Sequence, residues 1–158
     1  MQSTSRQSGL TANLGRGILA GVAGTVVMTA FQKFIEMPIT GRGDSYAPAD
    51  FAERALPVSP STPQGRTQLN YVTHFCLGGM WGTAYGIAAN AGLSGQKAVN
   101  MVFATVYTGD VILNTALGLY QPTEWSAEDW IVDLVEKYVQ AQATGAIFDR
   151  FLDPPPRS

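Results

Sequence analysis

The stretch from Gln68 to Gly92, QLNYVTHFCLGGMWGTAYGIAANAG, restricts the possible folds more than any other part of the chain. It has no formal charge, and the one histidine of the protein, His74, lies near its start. Beyond His74, glycines fall at Gly78, Gly82 and Gly86. Residues four apart share a helix face, so these glycines form one stripe. In water a glycine weakens a helix by roughly 1 kcal/mol relative to alanine. In a bilayer the same stripe is useful, because it lets a second helix backbone come close. The stretch predicts a transmembrane helix over 68–92 at the centre of a small bundle.

The rest of the chain supplies helices of matching length. GRGILAGVAGTVVMTAFQKFIEM predicts a first span over 15–37, about 20 residues being what a bilayer core requires. Gly17, Gly21 and Gly24 give it a second close-packing stripe. Pro38 is expected to stop it, and Lys33 and Glu36, three apart, read as an ion pair at the water interface. Residues 1–14 are polar and predict a disordered tail. No small-x-small cleavage site follows the apolar run, so it reads as a retained span rather than a signal peptide. From Ile39 to Arg66, Gly, Pro, Ser and Thr dominate, which predicts a long external loop. Within it PADFAERAL reads as a short amphipathic helix with Pro48 in its first turn. Its apolar edge, Phe51, Ala55 and Leu56, would lie on the membrane surface. The Arg42-Gly43-Asp44 tripeptide in the same loop reads as chance.

A third span over 96–120 follows the turn Leu93-Ser94-Gly95, a link short enough to make the two helices antiparallel neighbours. A fourth covers 126–152, where Ser126 is a good N-cap and Asp129, three residues on, approaches a capping box. Trp125 and Trp130 fit an interfacial aromatic belt. Residues 153–158 form a proline-rich tail. The expected architecture is all-α: a four-helix transmembrane bundle over 15–152, with a long loop after the first helix carrying a short amphipathic helix. A soluble all-α bundle competes with it, since the fourth helix is polar enough to be amphipathic in water.

The composition narrows the function classes. Of 158 residues, 46% are hydrophobic and 14% charged, against about a quarter charged in soluble domains. That length fits one domain. Mean hydropathy is only +0.05, drawn down by the polar ends and the loop. A net charge of −2 with no basic stripe argues against nucleic acid as a partner. The single cysteine, Cys76, excludes an internal disulfide and a cysteine zinc knuckle, and reads as a small apolar core residue. The partners implied are the lipid bilayer and either a membrane protein or further copies of the chain. Lys and Arg fall slightly more on the side of the termini, which places both in the cytoplasm.

Comparing depths at about 1.5 Å per residue puts an ionisable side chain from every helix in the same half of the bundle. Glu36, His74, Asp110 with Asn114 one turn on, Asp133 and Glu136 all fall there. Ionisable groups at membrane depth normally face the interior and have partners. One reading is a structural network that fixes register, with Lys137 paired to a carboxylate. A second is a single divalent metal, for which His and carboxylates are acceptable ligands, though no ExxH or HxxxH spacing is present. A third is a proton or small-ion path through His74. Hydrolytic motifs are missing: there is no GxSxG, second histidine or Walker loop.

Two segments, GILAGVAGTVVMTAFQKFIEMP and VTHFCLGGMWGTAYG, resemble the YagU-like family of small inner-membrane proteins. In the first a Gly-rich span ends in Glu36-x-Pro38, and in the second a Thr-His pair opens the next span. Pro122 after the third span and Asp149-Arg150 at the end of the last fit as well. The resemblance covers about Gly15 to Leu152 and implies a multi-pass protein of the bacterial inner membrane, with Glu36 and His74 as shared polar positions. Family members carry further histidines in the last two spans, where this chain has Asp110 and Lys137, a departure that weakens the transfer of any metal site from the family. Two functions are expected: a structural or accessory subunit of a membrane assembly without enzymatic activity, or a transport-type protein binding protons, ions or metal.

Overall fold

The computed structural model describes residues 2–153. All regular structure among them is helical, as expected. Helix α1 (Gln2–Phe31) runs into a widened π turn (Gln32–Glu36) and a short α2 (Met37–Thr40). Then come α3 (Ala47–Ala55), α4 (Pro63–Asn90), α5 (Gly95–Ala116) and α6 (Ala127–Ile147), which ends in a second π turn (Phe148–Leu152).

The boundaries differ from expectation for local reasons. The segment expected as a tail is helical from Gln2, because extending an existing helix adds a hydrogen bond for every residue fixed. Pro38 does not end the first helix. The π turn before it, in which Met37 N–H reaches back to Gln32, widens the backbone where the proline ring would clash. Gly41, at φ 71°, makes the actual stop. Helix α4 starts at Pro63, ahead of the expected Gln68, since Thr62 caps it by accepting from Gly65 N–H at 3.1 Å. Helix α5 ends at Ala116, short of Tyr120, where Gly118 (φ 73°) lets Leu119 and Tyr120 donate back to the Asn114 carbonyl. The C-terminal tail from Pro154 on lies outside the described residues.

At α6 the capping box is complete: Ser126 Oγ accepts from Asp129 N–H, and Asp129 Oδ2 accepts from Ser126 N–H at 2.8 Å. The Ser126 hydroxyl also donates to Asp129 Oδ2 at 2.6 Å, and Arg42 pairs with Oδ1 of the same carboxylate. Ser126→Ala removes the acceptor for the Asp129 N–H and should cost about 1 kcal/mol, the usual loss of a serine N-cap, read as faster amide exchange in the first turn of α6.

Helix α1 packs most extensively on α4 and next on α6, with α5 closing the other side against α6 and α4. The two glycine stripes face each other. A Cβ built on Gly21 would sit 2.8 Å from Gly82 Cα, and one built on Gly82 would sit 2.7 Å from Gly21 Cα. Gly17 meets the Gly82 backbone, Gly78 meets Thr25, and Gly86 meets the Asn13 carbonyl. Gly24 faces α6 instead, where a built Cβ would sit 3.0 Å from Thr144 N. The stripes are thus used inside the chain. Elsewhere the core is built of Trp81, Tyr85, Val99, Val102, Phe148 and several alanines. At the end near the chain termini, Asp149 Oδ2 accepts from Tyr85 OH at 2.7 Å and Gly95 N–H at 2.8 Å, tying α6 to the α4–α5 turn.

One further expectation is corrected. Cys76 is exposed on the outer face of α4 rather than in the core. Helix α3 buries Ala49 and Ala52 against α4, while Ala55 and Leu56 point outward, so its packed face is the alanine one. Among the described residues, one helical stretch, Gly9–Thr40, is long and apolar enough to cross a membrane, with a mean hydropathy of 1.6 over its most apolar part. The glycines, threonines and amides of α4 and the charges of α6 keep those helices below that mark.

Candidate functional site

The site begins with two helical pairs four residues apart. Asp110 and Asn114 stand one turn apart on α5, and Asp133 and Lys137 one turn apart on α6, so each pair shares a face. Where those faces meet, Lys137 Nζ donates to Asp133 Oδ1 at 2.7 Å and to Asp110 Oδ2 at 2.8 Å. Its third contact is the Tyr120 hydroxyl at 3.3 Å. An ammonium has three protons to give, so each has an acceptor. The nitrogen also lies 5.4 Å from the Tyr107 ring centre and 5.2 Å from that of Tyr120, within cation–π range. Asn114 Nδ2 donates to Asp110 Oδ1 at 3.0 Å and fixes its orientation. The Lys137 side chain is 17% exposed and those of Asp110 and Asp133 little more, so the triad is largely withdrawn from bulk solvent.

Above this triad lies a cavity of about 450 Å³. Helix α1 contributes Thr29 and the π turn after it Gln32, α4 contributes Asn70, Tyr71 and His74, and α6 contributes Glu136. His74 Nε2 is 3.1 Å from Thr29 Oγ1. Glu136 keeps one buried oxygen, Oε1, without a hydrogen-bond partner.

The roof is the segment from Asp44 to Phe51, at the start of α3. Side chains fasten it on several sides. Asn70 receives the Ala49 N–H and donates to the Ser45 carbonyl, each at 3.0 Å. Lys33 pairs with Asp44, and Arg66 with Asp50 and Glu53. Arg42 reaches Asp129 at 2.6 Å and Glu128 at 3.2 Å on α6. Arg54 donates to the Leu117 carbonyl at 3.1 Å. The charges of the Arg-Gly-Asp tripeptide are therefore engaged in holding the loop down.

Of the residues singled out from sequence, His74, Asp110, Asn114, Asp133 and Glu136 line one cavity. Glu36 does not. It is buried at the cavity's flank, accepts from Thr40 Oγ1 at 2.7 Å, and makes no pair with Lys33. Among the described residues, no group of three or more His, Cys, Asp or Glu is placed to hold a metal ion. The cation that Asp110 and Asp133 hold is Lys137.

Sequence reading underweighted Lys137 and missed Tyr107, Tyr120 and the whole roof. The aromatic residues carry no spacing signal. The roof did leave one: Asp50 and Glu53, three apart on α3, are complementary to Arg66 at the start of α4. No family model, curated protein or solved structure matches the chain.

Proposed function

We propose that the protein is a membrane-embedded bundle in which α1, α4, α5 and α6 cross the bilayer, and that its cavity binds a small solute. This is the transport-type alternative drawn from the sequence. The carrying observation is the cavity itself, about 450 Å³ with the Lys137 triad at its base. That volume falls in the range of small-molecule sites, at a place where a purely structural bundle would pack apolar side chains.

The membrane reading draws on where large apolar side chains lie. Leu19 and Phe34 on the α1 run, Met80 on α4, Ile112 on α5 and Ile131 on α6 are each more than 60% exposed. Large exposed apolar side chains on every long helix match a lipid-facing belt. The YagU-like resemblance agrees with it and suggests the bacterial inner membrane, with both termini cytoplasmic. An accessory subunit could offer its glycine stripes to helices outside the chain as well as inside, and here the stripes are occupied within the chain.

Expressed protein should stay in the membrane pellet after an alkaline carbonate wash. Recovery in the supernatant would refute the spanning reading. For the cavity, Gly109 offers a position whose Cβ meets nothing within 4 Å and which lines the space. Gly109→Phe should leave the fold intact and abolish solute binding. Unchanged solute binding in that variant would remove the cavity from consideration.

A further inference from the structure

The groups lining the cavity can be sorted by what they have left to offer a ligand. Lys137 has none of its three protons free, since Asp110, Asp133 and Tyr120 take them all. Lys33, at the rim, is engaged by Asp44. Neither cation is available to recognise an anion.

The acceptors are in surplus. Two carboxylates face one ammonium in the triad, leaving it a net negative charge, and Glu136 adds a further carboxyl with an unsatisfied buried oxygen. A buried acceptor without a donor is costly, so a ligand bringing N–H groups and positive charge would relieve it. The remaining wall includes Tyr46, Phe51, Tyr71, Trp81 and Tyr120. Aromatic faces next to carboxylates are the surroundings that suit an ammonium. Lys137 is itself held in such surroundings, between two carboxylates and two tyrosine rings.

We propose that the cavity recognises an organic cation, its ammonium directed to the Glu136 and Asp133 carboxylates and its apolar body against the aromatic wall. The inference rests on the solute-binding reading above and adds the ligand class.

The test uses the full chain purified in detergent and titrated calorimetrically at pH 7 with three compounds of nearly equal shape. These are 2-phenylethylamine, which is cationic, 2-phenylethanol, which is neutral, and phenylacetate, which is anionic. The amine should bind at least about tenfold more tightly than the other two, the scale of one charge-assisted hydrogen bond. Glu136→Gln, nearly isosteric, should weaken the amine by about tenfold without lowering the melting temperature. Gly109→Phe should abolish binding. If the alcohol or phenylacetate binds as tightly as the amine, and Gly109→Phe blocks it, the cation assignment is overturned while solute binding stands. Amine binding that survives both variants is partition into the micelle and overturns the site. If none of the three compounds binds, the cation assignment and the solute-binding reading fall together.

Discussion

Gly82→Leu is expected to prevent assembly of the bundle, the most damaging outcome of any single substitution along the helix seams. Even the first carbon of the new side chain would lie 2.7 Å from Gly17 C and Gly21 Cα, both backbone atoms of α1. A side chain can swing away from an intruder, but a helix backbone has to move as a body. The α1–α4 interface is the most extensive in the molecule, so moving it separates Gly17 from Gly82 and Gly78 from Thr25 together. Overpacking of an ordinary core costs typically 1–3 kcal/mol, and a clash with backbone along this seam should exceed about 3 kcal/mol. In detergent the variant should lose its cooperative melt and run as aggregate. Gly15→Ala is the matched control. It lies two residues from Gly17 on the same helix, is exposed, and its Cβ would meet nothing within 4 Å. It should raise stability by up to about 1 kcal/mol, as a helix-interior alanine does over glycine. If Gly82→Leu melts like the parent protein, the packing of α1 against α4 is wrong.

Lys137→Met should be the next most damaging change. It leaves Asp110 and Asp133 facing each other without their shared cation, and removing one partner of a buried pair costs about 3–5 kcal/mol. The triad is 17–23% exposed, so the lower end of that range applies. Combining Lys137→Met with Asp110→Asn and Asp133→Asn removes every charge and should recover most of the loss, because the damage comes from stranded charge rather than from the missing contact. Thermal melts of the single and triple variants measure this. A triple variant no more stable than Lys137→Met would mean that the hydrogen bonds to Tyr120 and Asn114 matter more than the charges. Separately, Lys137→Arg should melt below the parent, since a larger planar fork aims its protons differently from a compact ammonium already met by three acceptors.

The helical class was legible from periodicity and length, and so were the glycine stripes, since a spacing of four defines a face whatever surrounds it. The Ser126 cap was equally local, because all its partners lie within three residues. The gathering of His74, Asp110, Asn114, Asp133 and Glu136 could be anticipated because depth along antiparallel helices follows from residue count alone. Glu36 lies near Glu136, as its depth predicts, but the π turn that it ends keeps it off the cavity wall, and no composition signal marks a π turn.

What the sequence determined by itself was therefore which faces could pack and at what depth the ionisable groups would lie. The tertiary structure alone decided which face met which. It set glycine stripe against glycine stripe within one chain, and it placed Lys137 between Asp110 and Asp133. It also turned the loop before α4 into a roof, through Arg42, Asn70 and Arg66. The physical reason is that helix formation and capping depend on neighbours a few residues apart. A cavity depends on where helices far apart in sequence stop approaching, and side-chain shape sets that limit only once the bundle is assembled.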